Sequence, residues 1–175
     1  PVVVVSADAG SRGGKVVPYK PLLDEAIALS AHKPAAVLMV NRGLAPMDWQ
    51  DGRDHDWASL REQHLNASVP CEWVESTHSS YTLYTSGTTG KPKGVLHVHG
   101  GYNVGVHLTA KWVFDLKDED VYWCTADIGW VTGHSYIVYG PLSNGATTLM
   151  FEGVPTYPDA GRFWEVCAKH KVTQF

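Results

Sequence analysis

The residues from Thr85 to Gly94 have the types and spacing needed to hold phosphate groups. The segment reads TSGTTGKPKG and follows Tyr81–Thr85, which we expect to be a β-strand. Glycines let a backbone approach a ligand closely, hydroxyls and free N–H groups can bond phosphate oxygens, and Lys91 and Lys93 add positive charge. The segment indicates a phosphate-binding loop, although its composition alone fits an exposed turn of small residues equally well.

Neither glycine-rich segment of the chain has the spacing of a Walker-type P-loop. That motif is GxxxxGK followed by Ser or Thr, at the start of a helix. Lys91 is followed by Pro92, and Gly10–Val16 (GSRGGKV) is one residue short and ends in valine. The spacing therefore disfavours a kinase or a GTPase.

The Thr85–Gly94 segment does resemble the phosphate-binding signature of the adenylate-forming superfamily. That pattern is close to S/T-S-G-S/T-T-G-x-P-K-G, and every fixed position is met. Asp120–Gly153, with ADIGWVTGHSY inside it, is similar to the acetyl-CoA synthetase and propionyl-CoA synthetase branch. Ala7–Ala26 resembles the same branch, and its propionate-type members in particular. The likeness covers almost the whole chain and is weakest at Pro46–Ser68.

This resemblance implies an enzyme that activates a carboxylic acid in two steps. The acid first attacks the α-phosphate of ATP, giving an acyl-adenylate and pyrophosphate, and the thiol of coenzyme A then displaces AMP. The expected ligands are ATP with Mg²⁺ carried on the nucleotide, coenzyme A as co-substrate, and a small carboxylate. Acetate or propionate is the expected acid, and the same chemistry on another acid stays open.

The resemblance also assigns residues to the phosphates of ATP. Lys93 is expected to act as an assisting or structural charge, and the others as direct contacts. No catalytic residue is assigned within this chain. The ATP phosphate-binding residues implied in this way are Thr85, Ser86, Gly87, Thr88, Thr89, Gly90, Lys91 and Lys93.

A second group matches the acyl pocket of the short-chain synthetases. Trp130, Val131 and Thr132 occupy that stretch, and a tryptophan wall beside a small branched residue would exclude acids of more than a few carbons. Without the resemblance, the aromatic-rich sequence here favours a buried core instead. Thr132 also lies where the family's threonine meets coenzyme A.

A third group matches the site for the nucleotide end of coenzyme A. Arg12, Gly13, Gly14 and Lys15 combine two cations with two glycines, which suits a close approach to phosphate. Family acetate enzymes more often carry arginine where this chain has Lys15. Thr156 stands where those enzymes commonly have asparagine, so its role in binding coenzyme A is the least direct transfer.

Histidines and cysteines give no signal of a metal site or of a disulfide scaffold. His97 and His99 form an HxH pair, but no carboxylate or cysteine stands at ligand spacing, so solvated or structural roles are favoured and no metal is expected. The three cysteines are odd in number, widely spaced and never in a CxxC pair, which suits a reducing compartment. Asp127 precedes Gly129 and could orient the neighbouring loop.

Composition and charge fit a globular protein that acts on small molecules. The 175 residues include 14 basic and 18 acidic side chains, giving a net charge of −4, which argues against nucleic acid or an anionic membrane as partner. We see no signal segment and no apolar run of about 18 residues, so a cytoplasmic location is expected.

The elements that must position these residues alternate between strand and helix. This alternation predicts an α/β fold with a mostly parallel β-sheet and flanking helices, in which ligands sit at the carboxyl ends of strands. Strands are predicted at Val2–Ser6, Ala36–Val40, Tyr81–Thr85, Val121–Thr125, Thr147–Phe151 and Val172–Phe175. Helices are predicted from Pro21 and at Trp57–His64, Gly101–Phe114 and Asp159–His170, with Trp130–Tyr139 as helix or turn. A glycine-rich turn is predicted at Asp8–Lys15 and a surface excursion at Asp48–Asp56.

The chain reads as part of a longer enzyme. Pro1–Ser6 and Lys171–Phe175 resemble core strands that need neighbours. We therefore expect residues 1–175 to be a partial AMP-binding (adenylation) N-terminal domain, with the C-terminal domain absent and the remainder of its own chain as a partner. Taken alone, the 175 residues should have negligible ligase activity and act at most as a weak nucleotide- or coenzyme A-binding piece.

Overall fold

The structure is a computed structural model that describes residues 1–86, 90–154 and 156–175. The chain divides into two units, one formed by Pro1–Pro70 with Glu152–Ala160 and the other by Cys71–Phe151 with Gly161–Phe175. Both contain strands and helices, so the α/β class is confirmed. Within the described residues, no helix is long and apolar enough to cross a membrane.

The first unit is built on a small parallel sheet. Its elements are β1 (Val3–Ala7), β2 (Ala9–Arg12), β3 (Lys15–Pro18), α1 (Lys20–Leu29), β4 (Ala36–Val40), β5 (Asp54–Asp56) and α2 (Trp57–His64). Strands β1, β4 and β5 pair in parallel, with β4 in the middle. The predicted strand–helix–strand unit is confirmed, because α1 lies between the parallel strands β1 and β4 in the chain and has the predicted proline in its first turn.

Two parts of the first unit differ from the sequence-based prediction. The Asp8–Lys15 segment is not simply a turn, because β2 and β3 form an antiparallel hairpin around Gly13 and Gly14, with Arg12 opposite Lys15. The predicted surface excursion is also wrong at its end, where β5 joins β4. The sequence of β5, DHD, is polar and gives no strand signal. Ion pairs, rather than apolar side chains, hold this strand in place.

Those ion pairs bury charge between α1 and β5. The Asp54 carboxylate lies 3.0 Å from Lys20 Nζ and 2.7 Å from Arg53 Nε, and both Lys20 and Asp54 are buried. Asp24 completes the network, 2.5 Å from Lys20 Nζ and 2.5 Å from Arg53 Nη2. Buried charges are tolerated only when they are paired, so this network holds the helix and the edge strand in one arrangement.

A second buried carboxylate, Asp8, connects β1 to the loop after β4. Its oxygens accept hydrogen bonds from the backbone N–H groups of Arg42 (3.0 Å), Leu44 (2.6 Å) and Ala45 (3.1 Å). Burial by itself raises the pKa of Asp8, but these N–H donors outweigh it and lower the pKa to about 2. Asp8 is therefore ionised while it holds this loop.

The second unit combines a hairpin, a helical layer and a short parallel pair. Its elements are β6 (Ser79–Thr85), β7 (Lys93–Val98), α3 (His99–Trp112), β8 (Val121–Tyr122), α4 (Val131–Gly133), a π-helical segment (His134–Tyr139), α5 (Gly140–Ser143), β9 (Thr147–Thr148) and α6 (Arg162–His170). Strand β8 pairs in parallel with β9, and a core of Ala110, Leu116, Tyr122 and Ala146 lies beside them.

The predicted helices of this unit are confirmed, but its strands differ from expectation. β7 was not predicted, and it pairs with β6 in antiparallel orientation. The phosphate-loop candidate therefore joins the two strands of a hairpin. β8 and β9 have two residues each, and the strand predicted at Val172–Phe175 is reduced to a bridge between Tyr122 and Gln174. Apolar composition predicted these strands, but it does not indicate how many residues of each strand pair with a neighbouring strand.

Asp8 gives the first unit a specific response to acid. Its folded pKa of about 2 lies below the ordinary value of 3.8, so its contribution to stability is complete above pH 3.8 and is lost as the pH falls towards 2. We expect the melting temperature of the chain to fall across this range, and to fall less in Asp8→Asn, which is less stable at neutral pH. Circular dichroism melts at several pH values provide the measurement, and parallel pH profiles for the two proteins would contradict it.

Candidate functional site

The β6–β7 hairpin holds the predicted phosphate loop at its tip. Thr85 pairs with Lys93, and Tyr84 pairs with Gly94. A Cβ on Gly94 would lie 3.0 Å from Thr82 Cγ2 and 3.3 Å from the Tyr84 ring, so a side chain there would push against the opposite strand. The hairpin thus places the threonine that opens the loop opposite the second of its lysines.

The described part of this loop is open to solvent. Ser86, Gly90 and Lys91 are exposed, and Gly90 has a φ of +76°, which favours glycine. Gly87, Thr88 and Thr89, which we also predicted as phosphate contacts, lie outside the described residues. Exposed hydroxyl and ammonium groups at a hairpin tip can bond an anion without first breaking internal contacts.

The turn from Asp127 to Gly133 carries the predicted acyl-pocket residues. Asp127 Oδ1 accepts a hydrogen bond from the Gly129 N–H (2.8 Å), and the Asp127 carbonyl accepts one from the Trp130 N–H (3.0 Å). Through these two bonds Asp127 orients the backbone of Gly129 and Trp130, as the sequence led us to expect. A Cβ on Gly133 would overlap the Asp127 carbonyl and lie 2.6 Å from Ile128 Cα. The turn is closed tightly enough to fix the backbone of Trp130.

These two segments border a single pocket of about 190 Å³ in the second unit. One side of the pocket is formed by the end of β6 and the first loop residue after it. The other side is formed by the turn that contains Trp130. The lining residues are Leu83, Tyr84, Thr85, Ser86, Gly129, Trp130 and Val131. The fold thus brings together residues more than 40 positions apart that the sequence assigned to two separate ligand groups. Thr132 is exposed and follows this lining in α4.

An aromatic cluster connects the two walls of the pocket. The Tyr81 ring of β6 stacks on His97 at 4.7 Å and on His134 at 5.3 Å between centroids. Tyr102 of α3 meets it edge-on at 5.2 Å, and Tyr139 lies parallel at 6.1 Å. Burial raises the pKa of the Tyr81 hydroxyl, so this group stays neutral. The cluster ties the hairpin to the helical segment that follows Trp130.

The same contacts show what the histidines do. His97 and His134 are ring partners of Tyr81, which agrees with the structural role favoured by the sequence. His99 begins α3, and its N–H donates to the His78 carbonyl at 3.1 Å. Across the described ranges, no group of three His, Cys, Asp or Glu side chains is arranged to hold a metal ion.

Four of the predicted coenzyme A residues, Arg12, Gly13, Gly14 and Lys15, lie at the β2–β3 turn of the first unit. Gly13 and Gly14 have φ values of +57° and +76°, and Arg12 and Lys15 beside them are exposed. A Cβ on Gly13 would lie 3.7 Å from Val154 Cγ2, and one on Gly14 would lie 2.5 Å from the Tyr157 hydroxyl oxygen. Val154 and Tyr157, which lie on either side of Thr156 in sequence, therefore both approach this turn. Thr132, assigned to the same ligand, belongs to the second unit.

An ion pair that the sequence did not reveal lies beside this turn. Arg42 and Glu152 form a bidentate pair, with Nη1–Oε1 and Nη2–Oε2 distances of 2.8 and 2.6 Å. The two residues are 110 positions apart, so no spacing rule could associate them. The aromatic role of Tyr81 was missed for the same reason, because its partners come from three other elements.

Comparison with known proteins identifies the family of the chain. A family model described as AMP-binding enzyme matches residues 9–175. The propionate–CoA ligase of Salmonella typhimurium is 56% identical over 174 residues, which cover 99% of this chain and 28% of the relative. The propionate–CoA ligase of Escherichia coli K12 is 54% identical with the same coverage. The acetyl-coenzyme A synthetase of Leptospira biflexa is 53% identical over 178 residues, covering 100% and 27%. The chain thus spans about 28% of the length of the curated relatives it matches.

The tight turn behind Trp130 can be tested at Gly133. In Gly133→Ala the new methyl would meet the backbone of Asp127 and Ile128, which cannot move aside as a flexible side chain could. We expect a loss of about 1–3 kcal/mol in the free energy of unfolding, measured with urea. Gly105→Ala is the matched control, because Gly105 lies in α3 with open space around it and alanine should stabilise the helix by about 0.5–1 kcal/mol. Equal effects of the two substitutions would contradict the packing argument.

Proposed function

We propose, from the premise that this chain belongs to the AMP-binding enzyme family, that it forms part of a ligase that joins a short carboxylic acid to coenzyme A using ATP. The relatives named above are propionate–CoA ligases and an acetyl-coenzyme A synthetase. Acetate or propionate is the proposed acid, and acyl-CoA, AMP and pyrophosphate are the proposed products.

The observation that carries this proposal is the shared pocket of the second unit. In the first step a carboxylate oxygen must come within bonding reach of the α-phosphorus of ATP, so the acid and the phosphates need adjoining sites. Thr85 and Ser86 of the phosphate loop line the same pocket as Trp130 and Val131. Two separate pockets would have argued against this chemistry.

The first step forms a bond between the carboxylate oxygen and the α-phosphorus and breaks the bond to the oxygen that bridges to the β-phosphate. Two anions approach each other, and negative charge builds on the departing pyrophosphate. Hydroxyl and N–H donors with nearby cations can stabilise that charge. We assign this role to the hydroxyls of Thr85 and Ser86 and the ammonium groups of Lys91 and Lys93. Gly87, Thr88, Thr89 and Gly90 are proposed as backbone or hydroxyl contacts.

The donor set of this loop fits a nucleotide that carries its own Mg²⁺. Mg²⁺ commonly keeps several waters and binds substrate phosphates with only one or two carboxylates from the protein. The loop offers hydroxyls, N–H groups and ammonium groups, which bond phosphate oxygens that the ion leaves free. When bound, the ion neutralises phosphate charge, and the residues of this chain hold and orient the phosphates.

In the second step the sulfur of coenzyme A attacks the acyl carbon, and AMP leaves with the bonding electrons. We propose that Arg12 and Lys15 hold a phosphate of coenzyme A, with the backbone of Gly13 and Gly14 open to close approach. The positive φ values of both glycines and the exposure of both cations support this assignment. Thr156, which lies between Val154 and Tyr157 in sequence, and Thr132 are proposed as further contacts.

The size of the acid is proposed to depend on Trp130 and Val131. A side chain that fills the acyl end of a pocket excludes longer acids, because each added methylene must displace protein atoms. The same chemistry on another acid remains the first alternative. A second candidate concerns the 175 residues by themselves, which we propose to be a binding piece without turnover, since they span about 28% of the relatives' length.

A chimera tests the proposed function directly. These residues would replace the aligned segment of the Salmonella typhimurium ligase, which is 56% identical. We expect exchange of pyrophosphate into ATP that depends on acetate or propionate, and acyl-CoA formation once coenzyme A is added. Acids from two to six carbons form the panel, and Lys91→Ala should slow exchange at least about tenfold through loss of a charge contact. Absence of exchange with both short acids in a folded chimera would reject the proposal.

The role of Trp130 can be separated from folding because its side chain is 64% exposed. Truncation of so exposed a residue should change the free energy of unfolding by only about 0.5 kcal/mol. In the chimera, Trp130→Ala should shift relative kcat/KM by about tenfold or more towards five- and six-carbon acids. Trp112→Ala is the matched control, since Trp112 is 71% exposed on α3 and does not line the pocket. An unchanged acid preference would remove Trp130 from the acyl site.

A further inference from the structure

The Arg42–Glu152 ion pair joins three parts of the first unit. Besides the two bonds to Glu152, Arg42 Nη1 donates to the Ala9 carbonyl of β2 at 3.3 Å. Glu152 Oε1 also accepts a hydrogen bond from the Ser11 N–H at 3.2 Å. One guanidinium and one carboxylate thus connect the loop after β4, strand β2 and the segment that begins at Glu152.

The backbone of Arg42 is held in place by the buried carboxylate of Asp8. Its backbone N–H donates to Asp8, which is fully buried and also fixes the next residues of the loop. The backbone from which the Arg42 side chain extends is therefore fixed by a buried carboxylate. Because the planar guanidinium donates from Nη1 and Nη2 to the two oxygens of Glu152, it restricts both the position and the orientation of that carboxylate.

The contacts of Glu152 end close to the residues proposed to bind coenzyme A. Ser11, whose N–H donates a hydrogen bond to Glu152, directly precedes Arg12 in β2. On the other side, the chain runs from Glu152 to Val154 and Tyr157, which approach Gly13 and Gly14. Glu152 thus fixes both the strand that ends at Arg12 and the start of the segment that carries Thr156.

The charge of the pair suits a neighbouring anion site. An unpaired carboxylate beside Arg12 and Lys15 would repel a phosphate, whereas a carboxylate bound by a guanidinium has its charge balanced. Arg42 is the main cause that holds the pKa of Glu152 below its ordinary value, with the Ser11 N–H as a further cause. The pair therefore remains charged and bonded near neutral pH.

Stabilising the fold is a poor explanation for this pair. The Arg42 and Glu152 side chains are 35% and 49% exposed, and ion pairs at such sites contribute little to stability because water competes for both groups. Its restraint on geometry is larger, since it fixes two segments that are far apart in sequence. A ligand that must contact both segments benefits from that restraint.

We propose that Arg42 and Glu152 are positioning residues that hold residues 152–154 and 156–157 against the β2–β3 turn and so shape the site for a phosphate of coenzyme A. This rests on the proposed function. Neither residue contacts the ligand; both act through the placement of Arg12, Lys15 and Thr156.

The test separates the two half-reactions in the chimera described above. Acid-dependent pyrophosphate exchange needs no coenzyme A, whereas acyl-CoA formation reports the KM for coenzyme A. We expect Glu152→Ala and Arg42→Lys to raise that KM about tenfold, the effect of a small displacement of binding groups, while exchange changes by less than about twofold. Glu152→Gln should raise the KM less, because its amide oxygen can still accept from Ser11 and Arg42.

The control removes an exposed ion pair that belongs to the second unit. Glu165 pairs with Arg162 on α6 at 3.4 Å and is 62% exposed, so Glu165→Ala should leave the KM for coenzyme A unchanged. An active chimera in which Glu152→Ala and Arg42→Lys keep the parental KM would overturn the pair's role alone. So would an equal fall in exchange and acyl-CoA formation, which would indicate a general structural role. An unsubstituted chimera that exchanges pyrophosphate but never forms acyl-CoA would overturn the proposed function as well.

A second measurement uses the 175-residue chain itself and no ligand. Release of residues 152–154 and 156–157 should let the β2–β3 hairpin open more often, so trypsin should cut after Arg12 and Lys15 faster in Glu152→Ala than in the parent chain or in Glu165→Ala. Equal cleavage rates in the three proteins would show that the pair does not hold these residues on the turn.

Discussion

Phosphate-binding loops must leave donors free for a ligand, and therefore cannot stabilise themselves through their own contacts. Both candidate loops contain glycines and connect the two strands of a hairpin. An isolated two-stranded hairpin is marginally stable at best. Each turn consequently depends on side chains elsewhere in its unit to fix the hairpin, and much of the structure can be understood through those anchors.

The two units supply that anchoring with different chemistry. In the first, the anchors are charged: Asp8 holds the loop that carries Arg42, and Arg42 binds Glu152 beside the turn. In the second, the anchors are rings, with Tyr81 stacked between His97 and His134. The charged anchors of the first unit include two carboxylates, Asp8 and Glu152, whose pKa values are lowered by their hydrogen bonds. The ring cluster stabilises through buried area and ring geometry, while its central tyrosine remains neutral.

Anchoring also explains how one pocket comes to adjoin two predicted ligand groups. The Tyr81 cluster joins the hairpin to the helical segment after Trp130, and the Asp127 turn fixes the backbone just before it. Thr85, at the end of β6, and Trp130, in the turn before α4, therefore border one cavity. The proposed acyl-adenylate chemistry needs such adjacency, because the acid must come within bonding reach of the α-phosphate.

The sequence by itself determined the α/β class, the positions of α1, α2, α3 and α6, the β1–β4 parallel pair and the residue types of both loops. These features depend on local composition and periodicity, which are visible along the chain. It did not reveal β7, the strand at Asp54–Asp56, or how short β8 and β9 are, because pairing is decided by neighbours in space. Only the tertiary structure decided that Thr85 and Trp130 share a pocket, that Tyr81 joins its walls, and that Arg42 meets Glu152. Each of these contacts joins residues that are far apart in the chain. No helix or strand periodicity relates such residues, so only the tertiary structure could show that they meet.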